Sequence, residues 1–203
     1  ERYILPTMIN LACGTSVIMA MRQHVVPQAR GQVLEVGMGS GLNLPLYNPA
    51  NVEFVWGLEP SEGMRKLAAR RVAAAPFEVK WLDLPGEAIP LADASVDTVL
   101  LTFTLCTIPD WKTALQQMHR VLKPEGRLLF CEHGLAPDAG VQQWQHRINP
   151  LWKKCAGGCN LNRPIVDCLR EGGFEIEEVH GEYMQDTPRI AGYVSWGVAR
   201  RAR

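Results

Sequence analysis

A short apolar run that ends in three alternating glycines constrains this chain more than any other feature. Residues 33–42 read VLEVGMGSGL, which predicts a strand, a tight turn and the start of a helix. A second apolar run, residues 51–58, is followed directly by Glu59. Because parallel strands of α/β sheets bring their carboxyl ends to one edge, where ligands bind, we expect the two segments to meet there. They predict a nucleotide-cofactor site in which the Glu59 carboxylate accepts hydrogen bonds from the ribose hydroxyls.

The spacing of the glycines chooses between nucleotide cofactors. A dinucleotide fingerprint, G-x-G-x-x-G, requires glycine at position 42, where this chain has Leu42. The glycines are instead Gly37, Gly39 and Gly41, and Glu35 stands two residues ahead of the first. This arrangement resembles motif I of the class I S-adenosylmethionine-dependent methyltransferases. A nicotinamide oxidoreductase is an alternative that Leu42 weakens.

Composition and charge exclude several other classes of protein. The 21 basic and 21 acidic side chains give a formal net charge of zero, whereas nucleic-acid binders usually carry a basic excess. The best apolar run near the start, residues 11–21, is too short to span a bilayer, so membrane contact is not indicated. The six cysteines are scattered as in a reduced, cytoplasmic protein. Cys155 and Cys159 are the one close pair, and no second ligand pair of comparable spacing follows, so no metal is expected.

Strand and helix patterns alternate along the chain. Strands are predicted at 32–36, 51–58, 77–82, 94–102, 127–132, 174–181 and 189–199, the last two pairing antiparallel. Helices are predicted at 3–28, 61–74, 111–122, about 140–149 and 163–172. This alternation predicts one α/β domain of Rossmann-like class, with a mainly parallel seven-stranded sheet, an antiparallel C-terminal strand and helices on both faces. We divide it into an N-terminal helix or lid (1–30), a cofactor-binding core (31–133) and an acceptor-side segment with the final strands (134–203).

The methyltransferase resemblance covers about residues 30–133 and implies S-adenosylmethionine as cofactor, with S-adenosylhomocysteine as product. It implies that the backbone of Gly37, Gly39 and Gly41 passes beneath the methionine and ribose parts, and that Glu35 helps to hold the amino end. The further cofactor contacts that it implies are Pro60 beside Glu59, Met64 on the adenine side, the backbone from Leu84 to Gly86 around adenine, and Thr102 at the end of the fourth strand.

Segments outside this core follow one another in an order that resembles the alkyl thiol S-methyltransferase family. They are LCTI at 105–108, CEH at 131–133, WQ at 144–145, PLWK at 150–153, GCNLNR at 158–163 and IAGYV at 190–194. Bacterial proteins labelled as phosphatidylethanolamine N-methyltransferases resemble it as well. The resemblance extends over nearly the whole chain and implies a small-molecule acceptor.

The acceptor-side residues favour a thiol. A free thiol is partly ionised at neutral pH, so a weak base suffices to activate it. His133 follows the fifth strand at the ligand-binding edge and is the candidate catalytic base. Phe103, Trp144 and Trp152 are expected to line an apolar acceptor pocket, and Cys106 to touch the acceptor.

These observations predict an S-adenosylmethionine-dependent methyltransferase that acts on a small thiol or sulfide. Two alternatives stay open. One is N-methylation of an amine headgroup such as phosphatidylethanolamine, and the other is a non-catalytic module that only binds the cofactor. The sequence does not decide the oligomeric state.

Overall fold

A seven-stranded sheet organises the part of the chain that the computed structural model describes, residues 10, 11 and 13–202. The strands are β1 (Gly31–Val36), β2 (Val52–Leu58), β3 (Glu78–Leu82), β4 (Val96–Thr102), β5 (Leu122–His133), β6 (Phe174–Tyr183) and β7 (Tyr193–Arg201). The helices are α1 (Ser16–Gln23), α2 (Glu62–Ala74), α3 (Trp111–Val121), α4 (Ala139–Cys155), α5 (Ile165–Glu171) and α6 (Arg189–Gly192). The strand order is β3-β2-β1-β4-β5-β7-β6, in which β7 runs antiparallel to both neighbours and the other pairs are parallel. The predicted fold class is confirmed.

Side chains alternate along the strands and supply an apolar core on each face of the sheet. Leu101 and Phe130 belong to the cluster that includes Leu115 of α3. The adjacent Leu100 belongs to the opposite cluster, which includes Met21 of α1. The sheet is therefore covered by helices on both faces, as the unbroken apolar runs predict.

The register of the central strands determines where a ligand can bind. Val36 at the end of β1 lies opposite Leu58 of β2 on one side and Leu101 of β4 on the other. The strand order reverses between β1 and β4, which is the place where open α/β sheets bind ligands. The loops that follow β1, β2 and β4 therefore begin side by side at this edge.

The segment after β5 is more helical than its sequence predicts. The helix expected over about 140–149 continues through Pro150 to Cys155, because contacts outside the helix hold the turn ahead of the proline. Gln145 donates to the carbonyl oxygens of Gly134 and Ile190 at 3.1 and 3.0 Å. Tertiary contacts thus override a local helix breaker. In the described part of the chain no helix, α4 included, is long and apolar enough to cross a membrane.

Two other predicted elements are shorter in the structure. Of the helix expected over 3–28, residues 3–9 and 12 lie outside the described residues. The helical conformation is interrupted at Gly14, and Thr15, with extended backbone, is the N-cap of α1. The strand expected from residue 189 starts only at Tyr193, since residues 189–192 form the helical turn α6 after Pro188.

The glycine turn does not lead directly into an α-helix either. A 3-10 turn, Leu44–Leu46, follows it. Pro45 lies inside that turn and lacks the N–H that a longer helix needs.

Candidate cofactor and acceptor site

The turn after β1 requires glycine for two separate reasons. Gly37 has φ +70°, and a Cβ there would lie under 3.0 Å from three side-chain atoms of Thr104. Gly39 has φ +57° but more open surroundings, the nearest atom to its Cβ being the terminal methyl of Met64 at 3.3 Å. Left-handed backbone is costly for residues with a side chain, so glycine lets the bare main chain face the space beyond β1.

Glu59 fastens this turn to the loop after β2. Its Oε2 accepts a hydrogen bond from the Gly39 N–H at 2.9 Å, and its Oε1 accepts one from the Ser61 N–H at 2.8 Å. Arg65 donates to the Glu59 carbonyl oxygen at 2.6 Å. Burial raises the pKa of Glu59, and the two amide contacts oppose that rise. Since each carboxylate oxygen has two lone pairs, both retain an acceptor position for a ligand hydroxyl.

Two adjoining cavities at this edge bring together most of the predicted cofactor residues. The larger, about 290 Å³, has Gly37, Gly39, Glu59, Met64, Thr102 and Phe103 on its wall. The smaller, about 230 Å³, is bordered by Pro60, Leu84 and Gly86, and shares Gly37 and Glu59 with the first. Gly41 is not on either wall; a Cβ there would face Leu44 and Ala68.

Glu35 lies behind the cavity wall rather than on it. Because side chains alternate along a strand, the Glu35 carboxylate and the Leu34 side chain lie on opposite faces of the sheet. The carboxylate accepts hydrogen bonds there from Asn43 Nδ2 at 2.9 Å and Tyr47 Oη at 2.7 Å. The Asn43 amide also donates to Thr102 Oγ1 at 2.8 Å. Only 1% of Glu35 is exposed, and burial raises its pKa to about 7 against the effect of the Tyr47 and Asn43 hydrogen bonds.

We expect the burial of Glu35 to make the protein less stable as the pH rises. The folded state binds a proton at Glu35 up to about pH 7, whereas the unfolded state releases it near pH 4.5. The native state therefore holds the extra proton, and the free energy of unfolding falls by up to about 3 kcal/mol between about pH 5 and pH 8. Glu35→Gln should remove the part of the decline that Glu35 causes, and a comparable part should remain because burial raises the pKa of Glu132 to about 7 as well. Urea denaturation at a series of pH values measures the decline.

The matched control for this prediction is Glu53→Gln, which changes an exposed glutamate on β2. It should retain the decline of the unmodified protein. An unchanged pH dependence in Glu35→Gln would contradict the assignment.

Arg22 is a site residue that the sequence reasoning missed. It comes from α1, is only 6% exposed and lies on the wall of the larger cavity. Its Nη1 donates to Asn43 Oδ1 at 2.9 Å and to Thr102 Oγ1 at 2.6 Å, while its buried Nε has no hydrogen-bond partner among the residues that the structure describes. The guanidinium carbon lies 5.1 Å from the centre of the Phe103 ring. The sequence feature that could have pointed to Arg22 is that it is the single arginine in the first predicted helix, next to the apolar face of that helix.

Strained backbone and a buried acid shape the loop after β4. Phe103 has φ +53°, an unfavourable conformation for a bulky residue, and its N–H donates to the Cys131 carbonyl at 2.9 Å. The next two N–H groups, of Thr104 and Leu105, donate to Glu132 Oε1 at 2.7 and 3.0 Å. Burial raises the pKa of Glu132 to about 7. The sequence reasoning did not include Glu132 among the site residues. The feature that could have pointed to it is its position directly before His133.

Cys106, His133 and Cys159, together called the Cys–His cluster, lie beside the larger cavity. His133 Nε2 is 2.8 Å from the Cys159 sulfur, which is 3.7 Å from the Cys106 sulfur. Thr107 and Gly157, each within two residues of a cluster cysteine, lie on the cavity wall. The three cluster residues themselves lie behind that wall, and His133 contacts Cys159 there.

The members of the cluster polarise one another. The Cys106 sulfur lowers the pKa of Cys159, burial opposes this, and the His133 ring and the Trp152 indole add to the lowering. Burial disfavours a charged His133 ring, yet the contact with Cys159 raises the pKa of His133. The structure also separates the cysteine pair considered in the sequence, since Cys155 is exposed and not part of the cluster.

The two predicted tryptophans differ in position. Trp152 contributes to the environment of Cys159, and its indole nitrogen is buried. Trp144 is 56% exposed, with the Arg147 guanidinium carbon 5.6 Å from the centre of one of its rings. A helix turns about 100° per residue, so burial of the neighbouring Gln145 directs Trp144 outward. The structure therefore does not bring Trp144 to the acceptor cavity.

The strand order, the glycine turn after β1 and the buried acid after β2 define a nucleotide-cofactor protein of the class I methyltransferase type. Residues 34–130 match the family model described as "Methyltransferase domain". The chain belongs to the class I S-adenosylmethionine-dependent methyltransferases, and S-adenosylmethionine is the cofactor of this class.

Individual relatives support this assignment. Thiol S-methyltransferase TMT1B of Rattus norvegicus is 34% identical over 147 residues, which are 70% of this chain and 59% of the relative. Thiol S-methyltransferase TMT1A of Homo sapiens is 30% identical over 159 residues, 76% of this chain and 64% of the relative. The chain spans about six-tenths of the length of the curated relatives it matches. The crystal structure of a putative methyltransferase from Bacillus halodurans shares the fold, with a TM-score of 0.73 at 18% identity, over 91% of this chain and 99% of that one.

Proposed function

We propose that this protein transfers a methyl group from S-adenosylmethionine to a small thiol. When bound, this cofactor supplies a methyl group already activated on a sulfonium, so the protein chiefly aligns donor and acceptor. One observation carries the proposal: the cavity that begins at the glycine turn and Glu59 adjoins the Cys–His cluster. The rat and human relatives that are named thiol S-methyltransferases support the same acceptor class.

The cavity residues fit the parts of this cofactor. The Arg22 guanidinium lies on the cavity wall and offers a positive charge to the carboxylate of the methionine part. Gly39 lets the backbone approach the ligand, and Glu59 retains acceptor positions for the ribose hydroxyls. Leu84 and Gly86 border the smaller cavity, which suits adenine.

Glu35 acts as a positioning residue in this proposal. Its carboxylate accepts a hydrogen bond from Asn43, whose side-chain oxygen in turn accepts one from Arg22. The sequence-based role, direct contact with the amino end, is replaced by this chain of hydrogen bonds. Glu35 thereby holds the Arg22 guanidinium at the cavity.

The charged side chains on the cavity wall fit a thiol acceptor better than an amine acceptor. Among the described residues that line the larger cavity, Arg22 and Glu59 are the charged ones, and the cofactor engages both. An amine acceptor with a pKa near that of lysine, about 10.4, requires a base, whereas a thiol of pKa about 8.5 is a few per cent thiolate at neutral pH. Soft and apolar groups, Phe103 and Cys13, complete this part of the wall.

The Cys–His cluster supplies the polar end of the acceptor site. His133 contacts Cys159 and does not line the cavity. We therefore propose that it acts on the acceptor through the cluster, and not as a base exposed in the cavity. Cys106 is buried behind Cys159, and Trp152 packs nearby. Because this cluster lies beside it, the acceptor end of the cavity differs from an ordinary apolar pocket.

Methyl-transfer assays test the proposed acceptor. The full chain is mixed with radiolabelled S-adenosylmethionine and offered a small alkyl thiol, the amine of the same carbon chain, or vesicles that contain phosphatidylethanolamine. We expect label to appear in the thioether product and at background level in the amine and the lipid. Label found only in the lipid would establish the amine alternative. Saturable cofactor binding without transfer to any acceptor would establish a non-catalytic module.

A further inference from the structure

The Cys–His cluster has the composition and spacing of a metal site. We propose that Cys106, His133 and Cys159 bind one zinc ion, and that the acceptor thiolate occupies the fourth ligand position of this ion. The part that concerns the acceptor rests on the proposed thiol activity. The zinc site itself does not.

Distances within the cluster suit tetrahedral zinc. The three donor atoms lie within 4.8 Å of one another, and the two sulfurs are 3.7 Å apart. Two thiolates on one tetrahedral zinc, with Zn–S bonds of about 2.3 Å, are separated by about 3.8 Å. A disulfide would bring the sulfurs to about 2.05 Å. Zinc requires a small adjustment at His133, whose nitrogen, now 2.8 Å from the Cys159 sulfur, would move away by about 0.7 Å.

The number of ligands indicates a zinc ion with an open position. Among the described residues, no fourth histidine, cysteine or acidic side chain joins the group. Structural zinc sites use four protein ligands, whereas sites that bind a substrate use three, the combination of two cysteines and one histidine among them. The open fourth position is therefore available to a ligand from outside.

Three separate elements hold the ligands in place. Cys106 follows β4, His133 ends β5, and Cys159 follows α4. The Cys106 carbonyl accepts hydrogen bonds from the backbone and side chain of Asn160 at 3.0 and 2.8 Å, which ties the two cysteine loops together. Arg163 donates to the carbonyl oxygens of Leu105 and Ile108 on either side of Cys106. Such supporting contacts orient metal ligands.

The electrostatic surroundings favour a cation. Glu132, fully buried and adjacent to His133, has one oxygen occupied by backbone N–H groups and the other buried without a hydrogen-bond partner among the described residues. Two thiolates balance the charge of a zinc ion, and the unpartnered Glu132 oxygen adds an acceptor dipole close to the cluster.

The cluster lies next to the larger cavity, and we place the open position on that side. Thr107 and Gly157 lie on its wall, next to the loops that carry Cys106 and Cys159. A thiol that enters there binds as its thiolate: a Zn–S bond forms, the Zn–O bond to a water molecule breaks, and one proton passes to solvent. This would explain how the acceptor is ionised without a carboxylate base on the wall.

Cobalt titration tests the site independently of activity. The full chain, reduced and freed of metal, is titrated with Co²⁺, which reports thiolate ligands by a charge-transfer band and tetrahedral geometry by intense visible bands. We expect one equivalent to bind, zinc to displace it, and a small alkyl thiol to alter the spectrum. Cys159→Ser should weaken binding by more than about 100-fold, because losing outer partners alone costs about 10–100-fold.

Matched variants make the result decisive. Cys155→Ser changes an exposed cysteine on the same segment and should bind cobalt like the unmodified chain. Cys106→Ser and His133→Ala should each weaken binding as Cys159→Ser does, so that misfolding of one variant leaves two others. Absence of thiolate bands in the reduced, unmodified chain, or an equal loss of binding in Cys155→Ser, would overturn the zinc site.

Activity measurements separate this inference from the proposed function. Thiol methylation at full rate by metal-free protein would overturn the role of zinc and leave the proposed function standing. Zinc binding without any thiol methylation would contradict the proposed function and leave the zinc site standing.

Discussion

Glu59→Ala is expected to weaken the binding of S-adenosylhomocysteine by about 100-fold. In the proposed site the change removes two hydrogen bonds that the ribose hydroxyls donate to the Glu59 carboxylate. Bonds to a charged group contribute about 1.5–3 kcal/mol each, so a 100-fold loss, about 2.7 kcal/mol, is the lower end of the expected effect. It also releases the Gly39 N–H, which Glu59 holds at 2.9 Å, so the glycine turn loses its connection to the loop after β2. Isothermal titration calorimetry measures the change directly.

Two controls accompany this measurement. Glu62→Ala removes an exposed acid three residues further on and should leave the affinity unchanged. His133→Ala changes the acceptor side and should weaken cofactor binding far less than Glu59→Ala. Equal losses from Glu59→Ala and His133→Ala would count against the roles assigned to both residues.

Gly37→Ala is expected to lower the free energy of unfolding by about 3 kcal/mol and to abolish cofactor binding. Left-handed backbone costs a residue with a Cβ about 1–2 kcal/mol, and overpacking costs about 1–3 kcal/mol more. Both terms apply here, because Gly37 has φ +70° and its Cβ would lie under 3.0 Å from the Thr104 side chain. Urea denaturation and cofactor titration measure the two effects.

A second substitution separates the two terms. Thr104→Ala in the Gly37→Ala background removes the two nearest clashing atoms and should recover part of the stability, while the backbone cost remains. Gly86→Ala is the control for stability, since its Cβ would find its nearest neighbour, Ile108, at 3.4 Å. If Gly37→Ala were as stable as Gly86→Ala, the strain at the turn would be disproved.

The predicted residues that the structure places on the cavity wall, Gly37 and Glu59 among them, are those whose position depends on local chain conformation. The glycine at 37 was recognisable because a tight turn between a strand and a ligand edge requires left-handed backbone there. Glu59 was recognisable because it directly follows an apolar strand. The sheet followed from apolar runs of strand length, which identify strands that are buried on both faces.

The residues that it misplaced depend on contacts between distant segments. Trp144 was expected in the acceptor pocket, but the rotation of α4 that buries Gln145 exposes it. Glu35 was expected to touch the cofactor, but strand alternation turns it toward Asn43. Arg22 was missed because only packing of α1 against the sheet brings it to the cavity.

The sequence by itself determined the class of this protein and its cofactor, and it predicted the edge of the sheet for the cofactor site. These follow from the period of apolar residues and from the order of glycines and acids, which are local properties of the chain. Only the tertiary structure decided that Cys106, His133 and Cys159 meet in one cluster. Up to 53 positions separate them, and only the packing of two loops against the end of β5 makes them neighbours.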